Sequence, residues 1–418
     1  MALIAAPRYR LALIGLAWLT PLAVHQLVSA DKEAVALAAA IWLPALLLIT
    51  LRAYPSERWG RDLTDHALAP FVVVYAAAAT YGLVWGLARG NDPVLALGQS
   101  FTAALFVLGF AVAGPALARH ATRTFWLAVI VAVAVLSLPG VESVVRSMIG
   151  SDAHLTRFLD PVSVLAAMCT LLTLVLVYPR RPFLGAIGAG YFMFATLVTF
   201  TRSYWIGLTG ALVFSAVVAG RADRWTIGSV RRVTARAAAP VVAVAVCAAL
   251  VLVATPIGGF VVDRVGEQAG GTGGQAGDLS LTVREHELDA AAAHVRAHPI
   301  TGLGSGGEYL SLYQTSSDAI RFGDTNFVHN AYLYFPLKFG LLGFAAVAAL
   351  ALGTARVLGT ALAERAPRIT DRQVFTALLL FLLLASITAP NLVDPRFSFL
   401  AGAVAWLAGT TSQGLSAG

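Results

Sequence analysis

The chain has 418 residues, 58% of them hydrophobic and 12% charged, and a formal net charge of +7. A soluble domain carries about a quarter charged residues to cover its surface, so this composition excludes a water-solvated globule and predicts an all-α polytopic membrane protein. The positive charge falls to arginines at a lipid surface and calls for no nucleic acid.

Apolar runs of roughly 17 to 25 residues predict about twelve spans. In chain order they lie near 11–29, 34–51, 68–88, 95–118, 124–145, 159–178, 183–200, 204–220, 237–256, 330–354, 373–391 and 396–411. The first is also compatible with a signal peptide ending at Val28-Ser29-Ala30, although its apolar run is long for one. Pro182 and the Thr201-Arg202-Ser203 break separate two closely spaced pairs, because a proline and a charge both disfavour continuous helix in hydrocarbon. About eighteen of the 29 basic residues sit in alternate connections, among them Arg52, Arg119, Arg180, Arg224 and Arg368. By the positive-inside bias both termini are cytoplasmic. The chain then divides into spans one to nine over 1–256, a large outward segment over 257–328, and three spans over 329–418. Cys169 and Cys247 fall inside spans and imply no disulfide framework.

The outward segment opens with the flexible run Gly270-Gly271-Thr272-Gly273-Gly274. A helix follows over about 280–298, with Thr282 and Glu285 at capping-box spacing and Pro299 as its stop. Arg284, Glu287, Ala291, His294 and His298 recur at three- and four-residue steps and share one face. For the two histidines that face reads as solvated. Arg284, near the membrane surface, offers phosphate a planar bidentate donor set. Gly302-Leu303-Gly304-Ser305-Gly306-Gly307 reads as a turn joining two short helices, with glycines that also admit an anion close to the backbone.

His329 stands where this segment meets the tenth apolar run, a titratable imidazole at a membrane edge. Lys338 lies deeper in that run and must snorkel, pair or line a wet cavity, and Pro336 interrupts the helical ladder just before it. Gly340 and Gly343 allow close helix packing beyond. Arg202 occupies a connection on the same outward side, where a topology-setting arginine does not belong, so a binding role is expected for it. Arg396 is expected to pair with Asp394 across a turn.

Taken together these residues resemble the O-antigen ligase/polymerase family of bacterial polytopic glycosyltransferases. The family pattern is His-Asn (or Ser, Gln), nine residues, then Gly-x-x-Gly, and His329, Asn330, Gly340 and Gly343 match its spacing. Pro299-Ile300-Thr301-Gly302-Leu303-Gly304 fills the place of its Pro-x-x-Gly-x-Gly element, and Thr201-Arg202-Ser203 and Arg284 are similar to its arginine elements. The chain departs at Phe344, where the ligases usually carry threonine, and its first half holds no recognised motif. The resemblance implies transfer of a glycan from a polyprenyl-diphosphate carrier to a glycolipid or glycan acceptor at the outer face of the bacterial inner membrane, with inversion and without metal or cofactor. Under it His329 deprotonates the acceptor hydroxyl, and Arg202, Arg284 and, more weakly, Lys338 hold the diphosphate. Asn330, Gly302, Gly304, Gly340 and Gly343 support them. A polymerase of the same family uses the same residues. A transporter or flippase of lipid-linked glycan is the reading from another class, against which stands the crowding of polar residues at one membrane edge.

Overall fold

The structure, a computed structural model, describes residues 65–121, 123–149, 160–197, 202–222, 275–314, 320–364 and 369–410. The expected spans at 11–29, 34–51 and 237–256, the signal-peptide reading, Cys247 and the glycine run at 270–274 lie outside them. Numbered in chain order, the first helices are α1 (Ala69–Ala88), α2 (Pro93–Leu108), α3 (Gly114–His120) and α4 (Arg123–Ile149). Next come α5 (Asp160–Leu176), α6 (Pro182–Leu197), α7 (Arg202–Ala222) and α8 (Gln275–Ala297). The hairpin β1 (Tyr309–Gln314) and β2 (Ile320–Thr325) separates these from α9 (Ala331–Phe339), α10 (Leu341–Ala363), α11 (Asp371–Ala385) and α12 (Pro395–Gly409).

Among the described residues four helices are long and apolar enough to cross a membrane: Ala69–Ala88, Pro93–Arg119, Ser203–Arg221 and Leu341–Ala363. Shorter apolar helices cover Arg123–Leu138, Val164–Leu176, Pro182–Thr196 and Phe397–Gly409. Their outward surfaces keep large apolar side chains such as Val73, Val94, Phe183 and Leu352 exposed. Lipid solvates such a surface and water does not.

A wide π turn over Gly109–Ala113 joins α2 to α3. It sits where α12 crosses, and a side chain on Gly402 of α12 would fall 2.7 Å from the Phe110 nitrogen. Small residues let the two backbones touch there, as helix packing in lipid requires. Residue 335 of α9 plugs into α1: the Phe335 ring lies edge-on to Tyr75 at 5.0 Å and to Phe71 at 6.1 Å, and is fully buried. Edge-to-face contacts at this separation are the favoured aromatic geometry.

Three expectations change. The tenth run is not one span over 330–354: the chain forms α9, breaks at Gly340 and restarts as α10. Gly340 has φ +56°, a conformation that residues with a Cβ avoid, so the helix cannot pass through it. The helix expected over about 280–298 begins at Gln275, and Thr282 lies inside it instead of capping it. After the glycine turn comes an antiparallel hairpin with Tyr309 paired to Thr325, not a second helix, so the chain is not wholly α. Tyr309 and Ser311 are buried while Leu310 is exposed, the two-residue period of a strand with one face covered.

Candidate functional site

The nine residues between Asn330 and Gly340 are α9 itself. Asn330 is its N-cap, with a side-chain oxygen that accepts from the Leu333 backbone N–H at 3.0 Å. An asparagine cap satisfies one of the otherwise orphaned first-turn donors. The next residue is tied down too, since the Ala331 N–H donates to the Ser386 carbonyl at the end of α11 at 3.0 Å. His329 is therefore the last residue before a capped and anchored helix, and its direction is set by that anchor.

The imidazole of His329 has a side-chain exposure of 42%. Behind it stands Glu287 of α8, a residue 5% exposed. Glu287 Oε1 accepts the His329 backbone N–H at 2.6 Å, and Oε2 lies 2.7 Å from His329 Nδ1. The Phe327 ring meets the imidazole edge-on at 5.3 Å. One turn before Glu287 on α8 is Arg284, partly exposed. The expected shared face of α8 is real and only partly solvated: Glu287 and Ala291 are buried, whereas His294 and His298 keep partial exposure, His294 lying 5.7 Å from the Tyr309 ring and 6.5 Å from His298. Burial, with the neighbouring His298 second, lowers the His294 pKa. Burial, then the charge of Glu287, raises that of the Tyr309 phenol, whose hydroxyl donates to the Phe327 carbonyl at 2.8 Å.

The far end of α9 carries the glycine turn. The Leu303 and Gly304 N–H groups donate to the carbonyls of Leu337 and Lys338, at 2.8 and 3.0 Å, and the Leu341 N–H donates to Ile300. On its other side the Ser305 N–H reaches the Gly82 carbonyl of α1 at 2.8 Å. The Gly306 N–H reaches the Gln99 side chain of α2 at 2.8 Å. Asn91, between α1 and α2, donates to the carbonyls of both Leu303 and Ser305. These N–H groups are committed to protein acceptors, so the turn is a bolt between α9 and the first helices, and not a cradle for an anion. Lys338 belongs to that bolt. Its side chain is fully buried and its ammonium donates to the Gly307 carbonyl. Gly343 lies against the Phe335–Pro336 backbone, where no side chain fits.

Arg202 is the first residue of α7, and its side chain lies outside the described atoms, as does that of Arg396. Helix α7 crosses α11 at Gly207, where a side chain would fall 2.6 Å from the Phe381 carbonyl and 3.3 Å from Ala385. Ala385 is the neighbour of Ser386, which holds the start of α9. The five residues from Arg202 to Gly207 rise about 7.5 Å, so the start of α7 lies that far along the helix from this crossing.

The structure thus joins His329, Asn330, Lys338, Gly302, Gly304, Gly340 and Gly343 into one unit, with Arg284 on the helix behind it. Sequence reasoning missed Glu287 as a partner of the histidine, and missed Gly82, Asn91 and Gln99 as the seat of the glycine turn. The signal for Glu287 was its place on the face that carries Arg284. For the others no local signal exists, because the contacts span more than 200 residues.

The fold and the site define an integral membrane protein that presents an anchored, half-exposed imidazole at one end of its helical bundle. Residues 187–348 match a family model described as O-antigen ligase. The match holds every expected site residue and supports assignment of the chain to the O-antigen ligase/polymerase family. Glycosyl transfer in O-antigen biosynthesis is the activity that goes with the match. No curated protein matches the chain at a significant level.

Proposed function

We propose that the protein transfers a glycan from a polyprenyl-diphosphate carrier to an acceptor hydroxyl at the outer face of the cytoplasmic membrane. The observation that carries this reading is the His329 imidazole, half-exposed and fixed before a capped helix, inside the stretch matched to the O-antigen ligase family. The acceptor oxygen attacks the anomeric carbon as the bond to the diphosphate breaks, and the hydroxyl proton passes to His329. Imidazole suits that transfer because it exchanges protons near neutral pH. Attack opposite the leaving group inverts the anomeric carbon. Arg202 and Arg284 hold the diphosphate, whose developing charge a guanidinium meets with two parallel donors. In this reading both termini are cytoplasmic, α8 and the hairpin face outward, and neither metal nor cofactor takes part. Lys338, turned to Gly307, acts on the glycine turn instead of the donor.

A polymerase of the same family would use this site in the same way. The departure at Phe344, 45% exposed on α10, weighs toward the polymerase. The deciding experiment is a gel profile of carrier-linked and surface glycans from cells lacking the protein, complemented with wild type or His329→Ala. Long glycans retained on the carrier beside an unmodified acceptor mark a ligase; single repeat units mark a polymerase. Donor trapped on the inner leaflet marks a transporter. A His329→Ala protein that inserts normally and restores the wild-type profile removes the histidine from the chemistry.

A further inference from the structure

Glu287 is a carboxylate with almost no exposure, and such a group is retained only where its oxygens are met by donors. Both are met by one residue. Oε1 takes the His329 backbone N–H at 2.6 Å and Oε2 meets Nδ1 at 2.7 Å. Two contacts from one rigid carboxylate fix both the backbone and the ring of His329. We infer that Glu287 is the positioning residue of His329: it holds the proton on Nδ1 and turns the Nε2 lone pair toward the exposed side, where an acceptor hydroxyl arrives. This inference rests on the reading of His329 as the proton acceptor.

The tautomer follows from the partner. An ionised carboxylate only accepts hydrogen bonds, so Nδ1 must donate and the remaining lone pair is on Nε2. When Nε2 takes the acceptor proton the ring becomes a cation, and the carboxylate at 2.7 Å offsets its charge without moving. Helix α8 packs on β1 and α9, so the carboxylate is held from behind by folded structure.

Glu287→Gln tests this because it keeps the shape and reverses one donor. If the amide oxygen still accepts the His329 backbone N–H, the amide NH2 faces Nδ1, which must then accept. The proton moves to Nε2, the wrong side for a base. We expect kcat to fall by about 10²-fold or more, the scale of general-base catalysis, with KM for donor and acceptor within about threefold of wild type. The second readout is the ¹⁵N spectrum of histidine-labelled protein in lipid nanodiscs, the His329 signals being those lost in His329→Ala. Wild type is expected to show a protonated Nδ1 and a bare Nε2, and Glu287→Gln the reverse. Glu287→Asp, a shorter carboxylate, should restore the wild-type tautomer and a rate above that of Glu287→Gln. A wild-type kcat in Glu287→Gln overturns the inference. So does a rate loss with an unchanged tautomer, which marks a merely structural anchor. The His329 base reading fails separately, if His329→Ala itself retains transfer.

Discussion

Gly304 and Gly90 share a backbone conformation, with φ of +77° and +80°, and differ in what surrounds them. A side chain on Gly304 would lie 2.6 Å from the Gly86 Cα and 2.7 Å from its nitrogen, whereas one on Gly90 would meet nothing within 4 Å. Alanine at either position incurs the left-handed strain, about 1–2 kcal/mol. At Gly304 it must also drive the turn off α1 by about 1 Å, because carbon contacts settle near 3.5–4.0 Å and the obstacle is backbone that cannot rotate aside. That shift breaks the Ser305 N–H bond to Gly82 and the two bonds from Asn91, each contributing about 0.5–1.5 kcal/mol. Together with the strain, Gly304→Ala should cost about 3–6 kcal/mol against about 1–2 for Gly90→Ala. Hydrogen exchange of the 300–308 amides in detergent or nanodiscs reads the difference directly. A gap of 2 kcal/mol is about a thirtyfold faster opening. Equal exchange in the two variants would refute the close approach of the turn to α1, and with it the bolt.

Two further outcomes test the rest of the unit. Asn330→Ala removes the cap of α9 and should lower stability by about 1 kcal/mol, with transfer reduced as His329 loses its anchor. Asn330→Ser, which caps equally well, should retain both; thermal unfolding and transfer assays on the pair check this. Arg284→Ala should weaken donor affinity by about tenfold or more, a lost charge-assisted contact, while Lys338→Met stays within about twofold. Titration of purified protein with carrier-linked diphosphate decides it. A tenfold loss in Lys338→Met with unchanged exchange of the glycine turn would place the lysine on the diphosphate.

The membrane class and the position of nearly every described helix were legible, because apolar runs of spanning length report the solvent directly. The hairpin was not: Tyr309–Gln314 is a strand of six residues, too short for its alternation to stand out from a helix-rich setting. Glu287 was visible as a helix-face residue, and an acidic residue on an external helix is ordinarily solvated. Only the return of the chain 42 residues later, with the His329 N–H and Nδ1 at its side, makes it a buried partner. The glycine turn misled in the opposite sense. Its composition suggests a backbone open to anions, but that property depends on N–H groups being free, and here α9, Gly82 and Gln99 hold them.

The spacing of the histidine motif has a mechanical origin. Nine residues make α9 about 13.5 Å long, two and a half turns, and both of its ends are fixed by the rest of the fold. At the start, Asn330 caps the helix, Ser386 holds the Ala331 N–H and Glu287 holds His329. At the other end, the carbonyls of Leu337 and Lys338 receive the glycine turn, and Gly340 and Gly343 let the chain reverse against residues 300–302 and the Phe335–Pro336 backbone. One residue more or fewer would rotate one end against the other by about 100°. The two carbonyls would then face away from the turn, or the imidazole would leave Glu287. A fixed distance between His329 and Gly340 is therefore what a short helix clamped at both ends requires, and it ties the orientation of the imidazole to the docking of the first helices on the far side of the bolt.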